Sequence, residues 1–89
     1  MAKITEKEME VILQNEIPLD LEVDSGIFEF HKCGNVSLGV SYEHVGLGTH
    51  YVGYIFNLFV NGEYINIPSF YNNICDAAKM LTEEWNRWQ

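Results

Sequence analysis

The sequence predicts an α+β fold: a single antiparallel β-sheet of four to five strands in a meander, with N- and C-terminal helices packed on one face, in the order α-β-β-β-β-α. Three observations predict it. Apolar residues recur at helical spacing only near the two ends, and between them they alternate with the period of two that marks a half-buried strand. Asn61-Gly62, set between two apolar runs, is a strong two-residue hairpin signal of type I′. At 89 residues the chain has room for one hydrophobic core, so residues 1–89 are expected to form one domain.

The first helix is announced by Thr5 and Glu8, a Thr-x-x-Glu capping box, with Ile4 and Met9 placed as a hydrophobic staple. Met9, Ile12, Leu13 and Ile17 form its apolar stripe, and Pro18 stops it. Glu6 and Glu8 suit the positive end of the helix dipole and need no functional explanation. Residues 19–24 alternate strictly, with Leu19, Leu21 and Val23 opposite Asp20, Glu22 and Asp24, and predict a first strand. A bend at Ser25-Gly26 leads to Phe28 and Phe30, alternating with Ile27, Glu29 and His31. Cys33-Gly34-Asn35 reads as a turn. Val36, Leu38, Val40 and Tyr42 then oppose Ser37, Gly39, Ser41 and Glu43, ahead of a flexible loop over 44–50.

Residues 51–60 and 63–67 form the hairpin about Asn61-Gly62, whose register pairs Phe59 with Tyr64, Asn57 with Asn66 and Phe56 with Ile67. Pro68 and Ser69 are expected to open the last helix. Its stripe would be Phe70, Ile74, Ala77, Ala78, Leu81, Trp85 and Trp88, with Glu83 and Arg87 as an i,i+4 pair. Trp85 belongs to the core, and Trp88 is expected to dock against the domain.

With both helices on one side, the uncovered face would hold Asp20, Glu22, Asp24, Glu29, His31, Ser37, Gly39, Ser41, Glu43, Tyr51, Ile55, Asn57, Phe59, Tyr64 and Asn66. That is an acidic half beside an aromatic half. The candidate partner-binding residues within it are Asp20, Glu22, Asp24, Glu29, Glu43, Tyr51, Asn57, Phe59, Tyr64 and Asn66. An antiparallel sheet also commonly wets one face, with rings there serving cross-strand pairing.

Thirteen acids against five bases give a net charge of −8, concentrated early: −6 over residues 1–30 and −2 over 31–89. Direct nucleic-acid binding and an anionic membrane surface are thereby disfavoured, since both depend on Lys and Arg. Basic protein partners are favoured. No apolar run reaches membrane-spanning length. The first residues lack the apolar core of a signal peptide, and two cysteines are too few for a disulfide framework, so a cytoplasmic location is expected.

Residues with chemical capacity do not assemble into a motif. His31, Cys33, His44, His50 and Cys75 lack the paired spacing of a zinc site, and Cys33 has no local feature that would lower its pKa. Asp20, Glu22 and Asp24 make a row, not a cleft for paired-carboxylate catalysis. Gly46 and Gly48 precede a strand, whereas phosphate loops precede a helix. A non-enzymatic protein with no cofactor and no metal is expected.

The element order and the segment Asp76-Ala77-Ala78-Lys79-Met80-Leu81 superficially resemble a double-stranded-RNA-binding domain. That family opens its second helix with lysines, where this chain has Phe70-Tyr71-Asn72-Asn73-Ile74, so RNA binding does not carry over. In size, charge and absence of a site motif the chain is similar to small acidic inhibitors encoded by phages and mobile elements, including anti-CRISPR proteins. That likeness implies occlusion or nucleic-acid mimicry against a host nucleic-acid-handling or defence complex, in the host cytoplasm, with a basic protein surface as partner. The alternatives are a homodimer formed through the aromatic face and a small-ligand-binding domain.

Overall fold

The N-terminal capping box forms as its residue types require. In the computed structural model, which describes residues 3–44 and 51–89 and the side chains of these other than 66, 68 and 69, Glu8 N–H donates to Thr5 Oγ1 at 3.1 Å and Thr5 N–H to Glu8 Oε1 at 2.9 Å. Two amide groups that a helix start leaves unpaired are thereby satisfied. Helix α1 runs Glu6–Glu16 and is followed by strands β1 (Phe28–Cys33), β2 (Val36–His44), β3 (Val52–Val60) and β4 (Glu63–Tyr71). A 3₁₀ turn at Ile74–Ala77 leads into helix α2 (Ala78–Arg87). The sheet is an antiparallel meander in the order β1-β2-β3-β4.

Both helices lie against one face of the sheet. Met9 and Leu13 of α1, Ile17 at its C-cap, and Ala78, Leu81 and Trp85 of α2 join Phe30, Leu38, Val40, Phe56 and Leu58 in one core. Trp85 is 1% exposed, as its place in the stripe predicts, while Trp88 remains 44% exposed and docks only in part. The chain ends are tied together by Asn86, which accepts from Ile4 N–H at 2.9 Å and donates to Ile4 O at 2.8 Å. Arg87 pairs with Glu84 at 3.0 Å, one residue away from the expected Glu83. Among the described residues no helix is long and apolar enough to cross a membrane.

Four local expectations are corrected. Residues 19–24 do not form a strand: Leu19 is fully exposed, and the segment's backbone pairing to the sheet is a parallel bridge of Val23 to Tyr42. The reason is the available edge. β2 outruns β1, and past Phe28 its free edge accepts one hydrogen bond, from Asp24 N–H to Tyr42 O at 2.7 Å. Second, a bulge in β1 sets two residues, His31 and Lys32, against Ser37 alone, with His31 at φ +51°. It turns His31 onto the helical side, where Nδ1 donates to Glu16 Oε2 at 2.8 Å and the ring lies 5.4 Å from Trp85.

Third, the last helix does not start at Pro68-Ser69. β4 continues through them to Tyr71, and Asn73 caps the 3₁₀ turn, its Oδ1 accepting from Cys75 N–H at 2.9 Å and Asp76 N–H at 3.1 Å. Phe70 is therefore a strand residue. Fourth, the hairpin register holds from Val60–Glu63 to Asn57–Asn66, but three β4 residues then face Phe56, and pairing resumes at Ile55–Phe70. Proline has no N–H for the ladder, so the irregularity falls where Pro68 sits. Ile67 still reaches the core, at 2% exposure. The turn itself is as predicted, with positive φ at both Asn61 and Gly62. The expected loop over 44–50 lies, after His44, outside the described residues.

Candidate sheet-face binding site

The face opposite the helices follows from the register. Glu29, Gly39, Asn57 and Asn66 align across the four strands, Ser37, Phe59 and Tyr64 form the next row, and Ser41 with Ile55 and Phe70 a third. Glu43 pairs with Gly53 beyond them. Of the ten candidate residues, Glu29, Glu43, Asn57, Phe59, Tyr64 and Asn66 are brought onto this face by the pairing; the side chain of Asn66 lies outside the described set. Tyr51, one residue before β3, is 73% exposed.

Asp20, Glu22 and Asp24 are not in that array. They sit on the irregular connection between α1 and β1, so the evenly spaced row of carboxylates does not form. Asp24 is engaged locally instead. At φ +58°, its carboxylate accepts from the His44 ring at 2.6 Å and from His44 N–H at 3.2 Å. The ring hydrogen bond first, and the backbone one second, hold the Asp24 carboxyl below its ordinary value of 3.8.

Phe70 and Ile27 belong to the face and were not recognised from sequence as part of it. Phe70 was hidden by its apparent helical spacing with Ile74 and Ala77; the signal that finds it is the proline before it. A side chain added at Gly53 would lie 2.8 Å from the Phe70 ring, and one added at Gly39 would lie 3.0 Å from both Phe59 and Ile27. The rings thus lie down on glycine backbone, within diagonal cross-strand reach.

Beneath and between them are small polar residues. Ser37, Ser41 and Asn57 are buried although no second layer covers them. Ser37 Oγ donates to Glu29 Oε1 at 2.6 Å, and Ser41 Oγ donates to Glu43. Asn57 Nδ2 makes a long contact to Tyr64 Oη at 3.4 Å, while its Oδ1 has no partner among the described residues. At one end of the face the two hairpin tips are joined by Asn61 N–H donating to Asn35 O at 2.8 Å. Below them opens a notch of about 330 Å³, bounded by Glu29, Lys32, Ser37 and Phe59.

On the opposite side, at the exposed end of the sheet, Tyr42 and Tyr54 rings stand 4.6 Å apart. Burial, and then the neighbouring Tyr42, push the Tyr54 hydroxyl above its ordinary pKa. Among the described residues no three His, Cys, Asp or Glu side chains come together as a metal site. Within this set His31 and His44 are each committed to a carboxylate; His50 lies outside it.

Fold and site together define an α+β domain whose meander sheet is covered by helices on one face and paved with rings and carboxylates on the other. No protein family matches the chain, and comparison with curated proteins and with solved structures finds no match either.

Proposed function

We propose that this chain is a non-enzymatic protein-binding domain that engages a basic partner through the uncovered face of its sheet. The observation that carries the reading is the make-up of that face. Ile27, Tyr51, Tyr64 and Phe70 are each between 45% and 73% exposed, and Glu29 and Glu43 stand among them. Exposed rings around buried small polar groups match the composition of protein interfaces. Four of the five basic residues, Lys3, Lys7, Lys79 and Arg87, lie in or beside the helices on the other side. Among the described residues Glu29 and Glu43 on the sheet face therefore have only Lys32, at the rim, as a basic neighbour, and their attraction for a basic surface would speed encounter and weaken with salt.

The edges support a face-on mode over strand addition. β1 is interrupted by its bulge and β4 by Pro68, devices that blunt an edge against further pairing. In its specific form the proposal is an inhibitor that occludes a nucleic-acid-handling or defence complex, such as a CRISPR effector. Its support is charge complementarity to a phosphate-binding groove. Mimicry by a carboxylate row at 20, 22 and 24 is not part of it, because the fold does not align those residues. The test is capture of host proteins on immobilised wild-type chain and on Tyr64→Ser/Phe70→Ser, at about 0.05 and 0.5 M salt. A basic protein identified on the wild type alone and released at high salt is expected; equal capture by the variant refutes the reading. The exposed rings also favour a second reading, a homodimer through this face, which light scattering at high concentration would reveal.

A further inference from the structure

We infer that the notch below the hairpin tips is a receptor for an arginine side chain of the partner, an inference that rests on the protein-binding reading above. Its components are those a guanidinium needs. Glu29, which lines the notch, supplies a carboxylate fixed from one side: Ser37, 3% exposed, donates to Oε1 at 2.6 Å, so Oε2 is not engaged by that bond. Among the described residues Glu29 has no basic partner. Phe59 supplies the platform. Its ring is locked edge-to-face with Tyr64, at 5.8 Å and 81°, and rests over Gly39. A planar cation stacks on such a ring while forking onto a carboxylate, which a lysine ammonium cannot do.

The walls are stiff. The tips at Gly34-Asn35 and Asn61-Gly62 are bonded to one another, so the notch is preformed and an entering side chain need not order it. Its volume of about 330 Å³ falls at the small end of ligand sites, suited to one side chain rather than a cofactor.

Lys32 lies on the rim and raises the opposite possibility of an anion site. The chemistry disfavours it. An anion in the notch would lie against the anchored Glu29 carboxylate and an apolar ring, Phe59, on a chain of net charge −8. Lys32 is exposed and sits on a bulge, so its long side chain can turn into solvent.

The experiment is an NMR titration of the ¹⁵N-labelled chain with N-acetyl-L-arginine methylamide, run beside the lysine and glutamate analogues. The expected result is saturable shifts at Glu29, Ser37, Phe59 and Asn61 with the arginine compound, weaker with lysine. Glu29→Gln keeps an oxygen for Ser37 and should preserve the remaining spectrum while weakening arginine about threefold or more. Phe59→Leu should erase the preference for arginine over lysine. No saturable shift, equal affinity in Glu29→Gln, or binding of the glutamate compound that is lost in Lys32→Gln overturns the inference. The two proposals separate cleanly. A partner still captured by wild type and lost with Tyr64→Ser/Phe70→Ser, without arginine binding, removes only the notch. Arginine binding without any protein capture removes the parent reading and leaves a small cation site.

Discussion

Asn57 offers a direct test of the outer face's construction. Its side chain is fully buried, its Oδ1 lacks a donor among the described residues, and the hydrogen bond from its Nδ2 to Tyr64 is long at 3.4 Å. Leaving a buried acceptor unsatisfied costs about 1–3 kcal/mol, and valine is preferred over asparagine in strands by up to ~1 kcal/mol. Against this, Asn57→Val leaves a small void and gives up a hydrogen bond too long to be worth much. The net expectation is a gain of about 1 kcal/mol, which raises Tm by roughly 4–8 °C in a domain this size. Gly39→Ala should do the reverse. Its new methyl would sit 2.2 Å from Asn57 Oδ1 and 3.0 Å from Phe59 and Ile27, overpacking of about 1–3 kcal/mol. Because the worst clash is with Asn57, the two changes should couple: in the Asn57→Val background the cost of Gly39→Ala should fall by at least ~0.5 kcal/mol. Urea and thermal unfolding of the four proteins, with unchanged m, measure all three terms. Additive changes, or an Asn57→Val variant less stable than wild type, would refute the packing argued for this face.

Two further outcomes follow from the ends of the chain and from the early connection. Thr5→Ala removes the cap on Glu8 N–H and should cost about 0.5–2 kcal/mol, read by urea unfolding, with amide exchange rising first in α1. The Asp24 carboxyl, held low in the folded state, contributes stability that is complete above its unfolded value of 3.8 and is lost as pH falls through its folded value. An NMR titration should therefore place its midpoint below 3.8 in the wild type and nearer to it in His44→Ala; the same midpoint in both would exclude the ring hydrogen bond as the cause.

Most of the fold was legible because it depends on period and turn chemistry. The capping box located α1, and Asn61-Gly62 set a register from which Asn57, Phe59 and Tyr64 could be assigned to one face. What escaped detection were features that change the count of residues without changing their pattern. The bulge at His31-Lys32 keeps the alternation intact on paper yet turns His31 to the helices. The irregularity around Pro68 carries β4 four residues past its expected end at Ile67 and transfers Phe70 from a helix stripe to the sheet face. Residues 19–24 failed for a different reason: strand alternation is necessary for a half-buried strand, but pairing needs a free edge, and β2 has only a short one.

The relief of the outer face argues that it is more than a wetted surface. A face shaped only for water could carry long polar side chains at every position. Here glycines and serines occupy its centre, and rings from neighbouring strands lie over them: Phe70 against Gly53, Phe59 against Gly39. Aromatic rings have few rotatable bonds and lose little conformational entropy on contact, so a partner meeting them would retain most of the free energy of burying their area. Among the described residues the same arrangement leaves the Asn57 carbonyl without a donor, a cost that one apolar substitution would remove if packing alone mattered. Edges that resist further strands, beside a face that carries exposed rings, support the proposal that recognition falls to that face. If Asn57→Val stabilises the chain while weakening capture of its partner, stability and recognition are in conflict at that residue, as expected of a binding surface.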